Sequence, residues 1–199
     1  MKNNMVVALT GQSGAGKSSL GRYFASKGYT VIDCDEVAKD IHSDTDCQTE
    51  LSIAFGDDII KDGVIDKALL AKKAFADAES LSILTSITHP FIIKNILATI
   101  EKAFDKGEKF VIVDGAVIIG HDFEKYCDKF IVVTCDRAKQ YERLVVRDGI
   151  TTEQAKNRIA KQTKLETMLS KADFVVYNNG TQQEMENQGD YILRTLNKM

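Results

Sequence analysis

The sequence predicts an α/β fold in three layers, a five-stranded parallel sheet between helices, and three observations carry that prediction. Five short β-branched or apolar runs, at 5–9, 30–33, 109–114, 130–134 and 174–177, are each followed by a turn or by helical periodicity. That alternation is the signature of βα units around a parallel sheet. The runs are nearly continuous in apolar character, as strands covered on both faces require. The third observation is a glycine-rich segment, Gly11-Gln-Ser-Gly-Ala-Gly-Lys-Ser18, set directly between the first run and the first helical pattern.

The elements follow in order. The first run leads through the glycine-rich loop into a helix that begins near Lys17. The second ends Val31-Ile32-Asp33-Cys34-Asp35, which puts two carboxylates at the carboxyl edge of a strand, where ligands of open α/β sheets collect. Position alone does not choose between Asp33 and Asp35, and Asp35 suits equally an N-cap for a helix starting at Glu36. From 46 to 106 the periodicity is helical (Leu69, Leu70, Phe75; Leu81, Leu84, Ile87; Ile92, Ile96, Ile100) with no strand signal, and this predicts a helical insertion. Pro90 is placed to open its last helix, with His89 as a packing or capping residue rather than a catalytic one. The third run ends at Asp114. The fourth precedes a basic helical segment, read as a lid over 137–171, and the fifth precedes a turn at Asn179-Gly180. The core is then 1–45, 107–136 and 172–199, in a single domain.

Composition narrows the function. At 44% hydrophobic and 28% charged residues, the chain has the make-up of a packed domain rather than a disordered one. The apolar stretch 110–119 is interrupted by Asp114 and is shorter than the ~20 residues of a membrane span. The amino terminus lacks a secretory signal pattern, so a cytoplasmic protein without membrane contact is expected. Cys34, Cys47, Cys127 and Cys135 form no CxxC pair and are accompanied by only three histidines, so zinc-ligand spacing is absent and reduced, mostly buried thiols are expected. A net charge of −3 argues against a nucleic-acid partner. Residues 137–164 alone carry +5, so an anionic ligand is drawn to that segment.

The glycine-rich segment fits GxxxxGK[ST] in the strand–loop–helix context that the pattern needs. Its glycines allow a concave turn whose N–H groups cradle phosphates at a helix N-terminus. Gly11, Gln12, Ser13, Gly14, Ala15, Gly16, Lys17, Ser18 and the adjoining Ser19 are therefore expected to hold a nucleotide, with Lys17 reaching the β- and γ-phosphates and Ser18 ligating Mg²⁺. Chance coincidence of the four fixed positions is at roughly the one-per-cent level for a chain of this length. Neither an NKxD guanine reader, a DxxG switch nor an LSGGQ signature accompanies the loop. The P-loop NTPase fold is thus expected in its small-molecule kinase form, with a helical substrate-binding insertion and a helical lid.

VALTGQSGAGKSSLGRYFASKGYTVIDCDEVAKDIH resembles the opening of the dephospho-coenzyme A kinases. The resemblance continues through Asp62-Gly-Val-Ile-Asp66 with Leu70 and Phe75, through Ile87-Thr-His-Pro90, and through Gln140, Arg143-Leu144, Arg147, Arg158-Ile159, Gln162, Ala172-Asp173 and Asn179-Gly180. It implies transfer of the γ-phosphoryl group of ATP to the ribose 3′-hydroxyl of dephospho-coenzyme A, with those two small molecules as partners and ATP and Mg²⁺ as cofactors. A P-loop kinase of a nucleoside monophosphate or another small hydroxyl compound, and a non-catalytic ATP-binding switch, are the rivals. By the same resemblance Asp35 matches the catalytic base and Arg143 the lid arginine that meets the transferring phosphate on closure. Arg147, at i+4, shares its face, and Asn179 lies near the adenine. Arg137 and Lys139 read as solvated helix charges. Asp114 is expected at the metal, directly or through a water. Where the family commonly shows Asp-x-Pro-Leu-Leu-x-Glu, this chain has Asp114-Gly-Ala-Val-Ile-Ile-Gly120, and Ser19 replaces the usual threonine. The oligomeric state is open between a monomer and a weak homo-oligomer.

Overall fold

A computed structural model describes residues 4–116 and 118–199; residues 1–3 of the amino-terminal reading and Val117 of the Asp114–Gly120 departure lie outside it. All five expected strands form, as β1 (Met5–Thr10), β2 (Val31–Asp33), β5 (Phe110–Asp114), β6 (Lys129–Thr134) and β7 (Phe174–Tyr177). They pair in parallel in the order β2-β5-β1-β6-β7. β1 is therefore central, and the chain leaves it for one half of the sheet and later returns to the other, the switch point at whose carboxyl edge α/β proteins bind ligands. Val7, Leu9, Ile112, Ile131 and Val133 are fully buried there against Leu20 and Phe24 of α1 (Lys17–Ser26) and Ile192 of α9 (Gln182–Leu196). This is why those strands read as apolar runs without alternation. Between β6 and β7 lie α6 (Arg137–Asp148), α7 (Thr152–Ala160) and α8 (Leu165–Lys171).

The chain divides into two compact units, one of residues up to Asp33 together with Ile100–Met199, the other of Cys34–Thr99. The second unit begins earlier than residue 46. It contains α2 (Cys34–Asp40), α3 (Thr45–Phe55), α4 (Lys67–Ala74) and most of α5 (Ala78–Asp105). Asp44 and Asp66 cap α3 and α4, each accepting backbone N–H bonds through its carboxylate.

Two expectations for this region need correction. Residues 46–106 do contain strands: β3 (Ile60–Lys61) and β4 (Val64–Ile65) form an antiparallel hairpin. Its turn is Asp62-Gly63, with φ 52° and 77°, so both central residues have the positive φ that a tight two-residue hairpin demands. The strands are too short for a periodic signal, but the Asp-Gly pair between apolar residues was one. Secondly, Pro90 does not start a helix. It lies inside the 28-residue α5, and His89 is an exposed mid-helix residue rather than a cap. Leu84 and Ile87 before the proline and Phe91 and Ile92 after it pack on the same cluster of Ile41, Cys47, Leu51, Ile59 and Leu70, which holds the helix together across the missing N–H. Ser86, whose carbonyl loses its partner, is exposed to water. Pro90→Ala is expected to raise stability by about 1–3 kcal/mol, read as a higher urea midpoint at unchanged slope.

By length and composition α5 is also long and apolar enough to cross a membrane. Among the described residues the four cysteines form no disulfide; Cys47 and Cys135 are buried, Cys34 and Cys127 partly so. Burial pushes the Cys47 thiol up to about 11, which keeps it protonated and unreactive at neutral pH.

Candidate active site

The loop 11–16 runs from the end of β1 to Gly16, the N-cap of α1. Gly16 has φ 100°, and a Cβ built on it would lie 2.0 Å from Asn178 Nδ2, so no other residue fits. Gly16, as N-cap, has no side chain to bond the first-turn N–H groups of α1, so the positive end of the helix lies at the loop. Lys17 and Ser18 stand in the first turn, and the Ser19 hydroxyl accepts from Arg22 at 3.2 Å.

Lys17 is committed to Asp114. Its ammonium donates to Asp114 Oδ1, and both side chains are largely buried. Asp114 ends β5 in register with Asp33 of β2 on one side and Leu9 of β1 on the other, which brings two carboxylates onto neighbouring positions of the same sheet edge. Its second oxygen lies over α1: a Cβ on Gly21 would be 3.0 Å from Asp114 Oδ2. Gly21 follows Ser18 by three positions and so shares its helix face.

α6 lies against the loop rather than away from it. Arg143 Nη1 donates to the Ala15 carbonyl at 3.3 Å and Nη2 to the Asn178 carbonyl at 3.0 Å. The guanidinium is thus already at the loop without a closing motion. Leu144 anchors it, fully buried with Ala155 and Ile159 of α7. Arg137 is exposed, as a solvated charge is, and Lys139 partly buried, but the solvated reading misses the hydrogen bonds both also make. Arg137 Nη1 donates to Gln12 Oε1 at 2.7 Å and to Gln140 Oε1 at 2.9 Å, and Lys139 donates to the Asn179 carbonyl. Net charge gave no hint of this, because the partners are amides and carbonyls.

Arg147 goes elsewhere. Its Nε and Nη2 donate to the Asp148 carboxylate at 2.7 and 3.0 Å, and Arg158 of α7 binds the same group. These arginines hold the Asp148 carboxyl down to about 2, below its ordinary 3.8. The sign is that of a depressed acid: the stabilisation is complete above about pH 4 and is lost as pH falls through about 2. Asp148→Asn is expected to remove that part of the acid sensitivity, measured as a shallower fall of the urea midpoint between pH 4 and 2. The Asn179 carboxamide is engaged with Asp136, accepting from its N–H at 2.7 Å and donating to its Oδ1 at 2.9 Å.

Asp35 lies in the second unit. α2 begins at Cys34, so Asp35 is inside the first turn with Glu36 rather than preceding the helix, and the N-cap reading falls. Two acidic residues there favour the helix dipole. Asp35 is exposed, two residues beyond the end of β2.

Asn178 escaped the reading of the sequence. It is 8% exposed, and its Nδ2 donates to the Ala15 carbonyl at 2.9 Å, bridging the end of β7 to the loop. Its place immediately after an apolar strand, on the edge where ligands gather, was the available signal. Cys135 lies close by, its Sγ 3.7 Å from the Gly14 carbonyl, and burial pushes its thiol up.

Comparison with known proteins follows this geometry. The family model described as "Dephospho-CoA kinase" matches residues 5–184. A dephospho-CoA kinase of Corynebacterium glutamicum is 35% identical over 94% of this chain and 94% of its own length. Among solved structures, a protein from Thermus thermophilus has TM-score 0.80 at 23% identity over 97% of this chain and 98% of its own. The dephospho-CoA kinase from Campylobacter jejuni has TM-score 0.68 at 24% identity over 98% of each chain. At these identities the structural likenesses speak to the fold alone.

Proposed function

The chain belongs to the dephospho-CoA kinase family, and on that premise we propose how its residues share the work of transferring the γ-phosphoryl group of ATP to the ribose 3′-hydroxyl of dephospho-coenzyme A. The observation that carries the assignment is the convergence of Lys17 and Arg143 on one glycine-rich loop, in a chain whose family match runs through both. Phosphoryl transfer with a loose transition state calls for positioning and charge neutralisation more than for covalent help. The loop amides and the α1 N-terminus hold the phosphate tail. Lys17, released from Asp114 onto the phosphates, and Arg143, turned from the Ala15 carbonyl, meet the charge that develops on the transferring oxygens. Asp35 orients the acceptor hydroxyl and takes its proton. Gly11 to Ser19 bind the nucleotide, and the turn at Asn179 borders it through its backbone, since its carboxamide is spent on Asp136. Arg147 is bound within α6 to Asp148, whose carboxylate Arg158 of α7 also binds, so its guanidinium must leave that pair to reach the nucleotide.

Among the described residues no cluster of three or more His, Cys, Asp or Glu is placed to hold a metal, so a cation here draws on few protein oxygens and on phosphate. That is the manner of Mg²⁺. The donors fit: the Ser18 hydroxyl and the Asp114 carboxylate are hard oxygens, and Asp114 Oδ2 overlies the α1 face that Ser18 begins. Ser18 and Asp114 would hold the ion, which when bound neutralises charge on the phosphate oxygens.

The 46–106 insertion receives the pantetheine arm, and 137–171 shields the transferring group from water. The same reading gives a cytoplasmic enzyme whose partners are its two small-molecule substrates, with no nucleic acid or membrane, acting as a monomer or weak homo-oligomer. A coupled ADP-release assay with dephospho-coenzyme A, AMP, CMP and shikimate tests the acceptor. Turnover on dephospho-coenzyme A far above the rest is expected. A preference for a nucleotide would transfer the assignment to a nucleoside monophosphate kinase, and no acceptor above the water background would leave only an ATP-binding module.

A further inference from the structure

Two consecutive residues of the phosphate-binding loop are held from outside it. Ser13 has its three polar groups occupied: its N–H donates to Gln162 Oε1 at 2.9 Å, its hydroxyl accepts from Gln162 Nε2 at 2.8 Å, and its carbonyl accepts from Gln140 Nε2 at 2.8 Å. The Gln12 side chain, 5% exposed, donates to the Thr163 carbonyl at 3.0 Å and accepts from Arg137. Gln162 and Thr163 lie in the connection between α7 and α8, about 150 residues along the chain from the loop. Because glycine-rich backbone has no intrinsic preference for one concave shape, some other part of the protein must select that shape before phosphate arrives.

We infer that Gln162 is a positioning residue for nucleotide binding: its carboxamide grips the N–H and hydroxyl of Ser13 as a paired donor and acceptor, and so makes the phosphate-ready form of the loop depend on the α7–α8 connection being docked. The side-chain type is decisive. A carboxamide offers one acceptor and one donor from adjacent atoms, which matches the N–H and Oγ of one serine. A shorter or apolar side chain leaves the Ser13 N–H to water and the loop free to sample other turns. Gln140, 3% exposed, holds the Ser13 carbonyl from α6, so the loop is gripped by two separate segments of the 137–171 region. This inference rests on the reading that the loop binds the phosphates of ATP.

The test is calorimetric titration of the full chain with ATP and magnesium chloride, for the wild type, Gln162→Ala, Ser13→Ala and the double variant. Gln162→Ala is expected to weaken ATP binding about tenfold, equivalent to ~1.4 kcal/mol and about what two neutral hydrogen bonds contribute. Ser13→Ala, which removes only the hydroxyl bond, is expected to weaken it about threefold. The double variant should match Gln162→Ala alone, because the second change then removes nothing further. In turnover assays KM for ATP should rise in parallel while KM for dephospho-coenzyme A stays at the wild-type value. A role confined to folding would instead reduce the amount of active enzyme and leave both KM values unchanged. ATP affinity of Gln162→Ala within twofold of wild type, or strictly additive effects in the double variant, overturns the inference. If Gln162→Ala does not fold, Ser13→Ala decides alone, and unchanged affinity there overturns it. A wild type that binds ATP yet does not phosphorylate dephospho-coenzyme A would defeat the proposed function, while the same affinity series still judges Gln162.

Discussion

Asp35→Asn is expected to lower kcat by about 10²–10⁴-fold, the contribution of a positioned general base, and to leave KM for ATP near its wild-type value. The substitution changes one oxygen to nitrogen and keeps the side-chain volume. Glu36 still places a negative charge in the first turn of α2, so the helix loses little of its dipole complement. What is lost is the ability to accept the hydroxyl proton as it leaves for the γ-phosphorus. Because the loop, Lys17 and Arg143 belong to the other compact unit, ATP affinity gives an internal control on the integrity of the nucleotide site. Steady-state kinetics with both substrates varied makes the separation, and a folded variant with undiminished kcat removes Asp35 from the mechanism.

Lys17→Ala is expected to act on two properties at once. It removes the cation that meets the transferring phosphate, with a loss of kcat/KM on the order of 10²–10³ by analogy with other single electrostatic contacts to developing charge. It also takes the lysine from Asp114, a carboxylate only 4% exposed. Breaking a buried pair by removing one member costs about 3–5 kcal/mol, most of it the penalty for the charge left behind. The two effects can be told apart. Adding Asp114→Asn to Lys17→Ala replaces the buried carboxylate with a neutral amide, so the urea midpoint should recover part of its loss while activity stays low. Equal stability of Lys17→Ala and the wild type would mean that the pair is not what holds this strand end.

The reading of Arg137 as a solvated charge holds for its exposure and misses its hydrogen bonds, for an instructive reason. Helix α6 is basic and carries a net positive charge in sequence, and such a helix usually faces water. Here Gln140 and Leu144, at i and i+4, turn its inner face to the glycine loop, and Arg137 follows Gln140 to an amide oxygen of Gln12. No charge pattern encodes that contact. Pro90 failed through cooperativity: the local cost of a proline is smaller than the packing that Leu84, Ile87, Phe91 and Ile92 supply on either side of it. The Asp62-Gly63 hairpin is the opposite case, a two-residue signal that was present but lay inside strands too short to show a period.

The order of the strands along the chain, the glycine loop between the first strand and its helix, and the residue types able to bind phosphate were all written in local sequence, because apolar runs and glycine placement are constraints on neighbouring residues. Membership of the family was legible there too, since it is carried by motifs spread over nearly the whole length. Tertiary structure alone decided which hydrogen bonds hold the loop. Arg143, Asn178 and Gln162 reach it from segments more than a hundred residues away, and their hydrogen bonds depend on sheet order and on how α6 and the α7–α8 connection pack against β1's carboxyl edge. A hydrogen bond is specified by distance and direction in space, and neither is a property of any single stretch of chain.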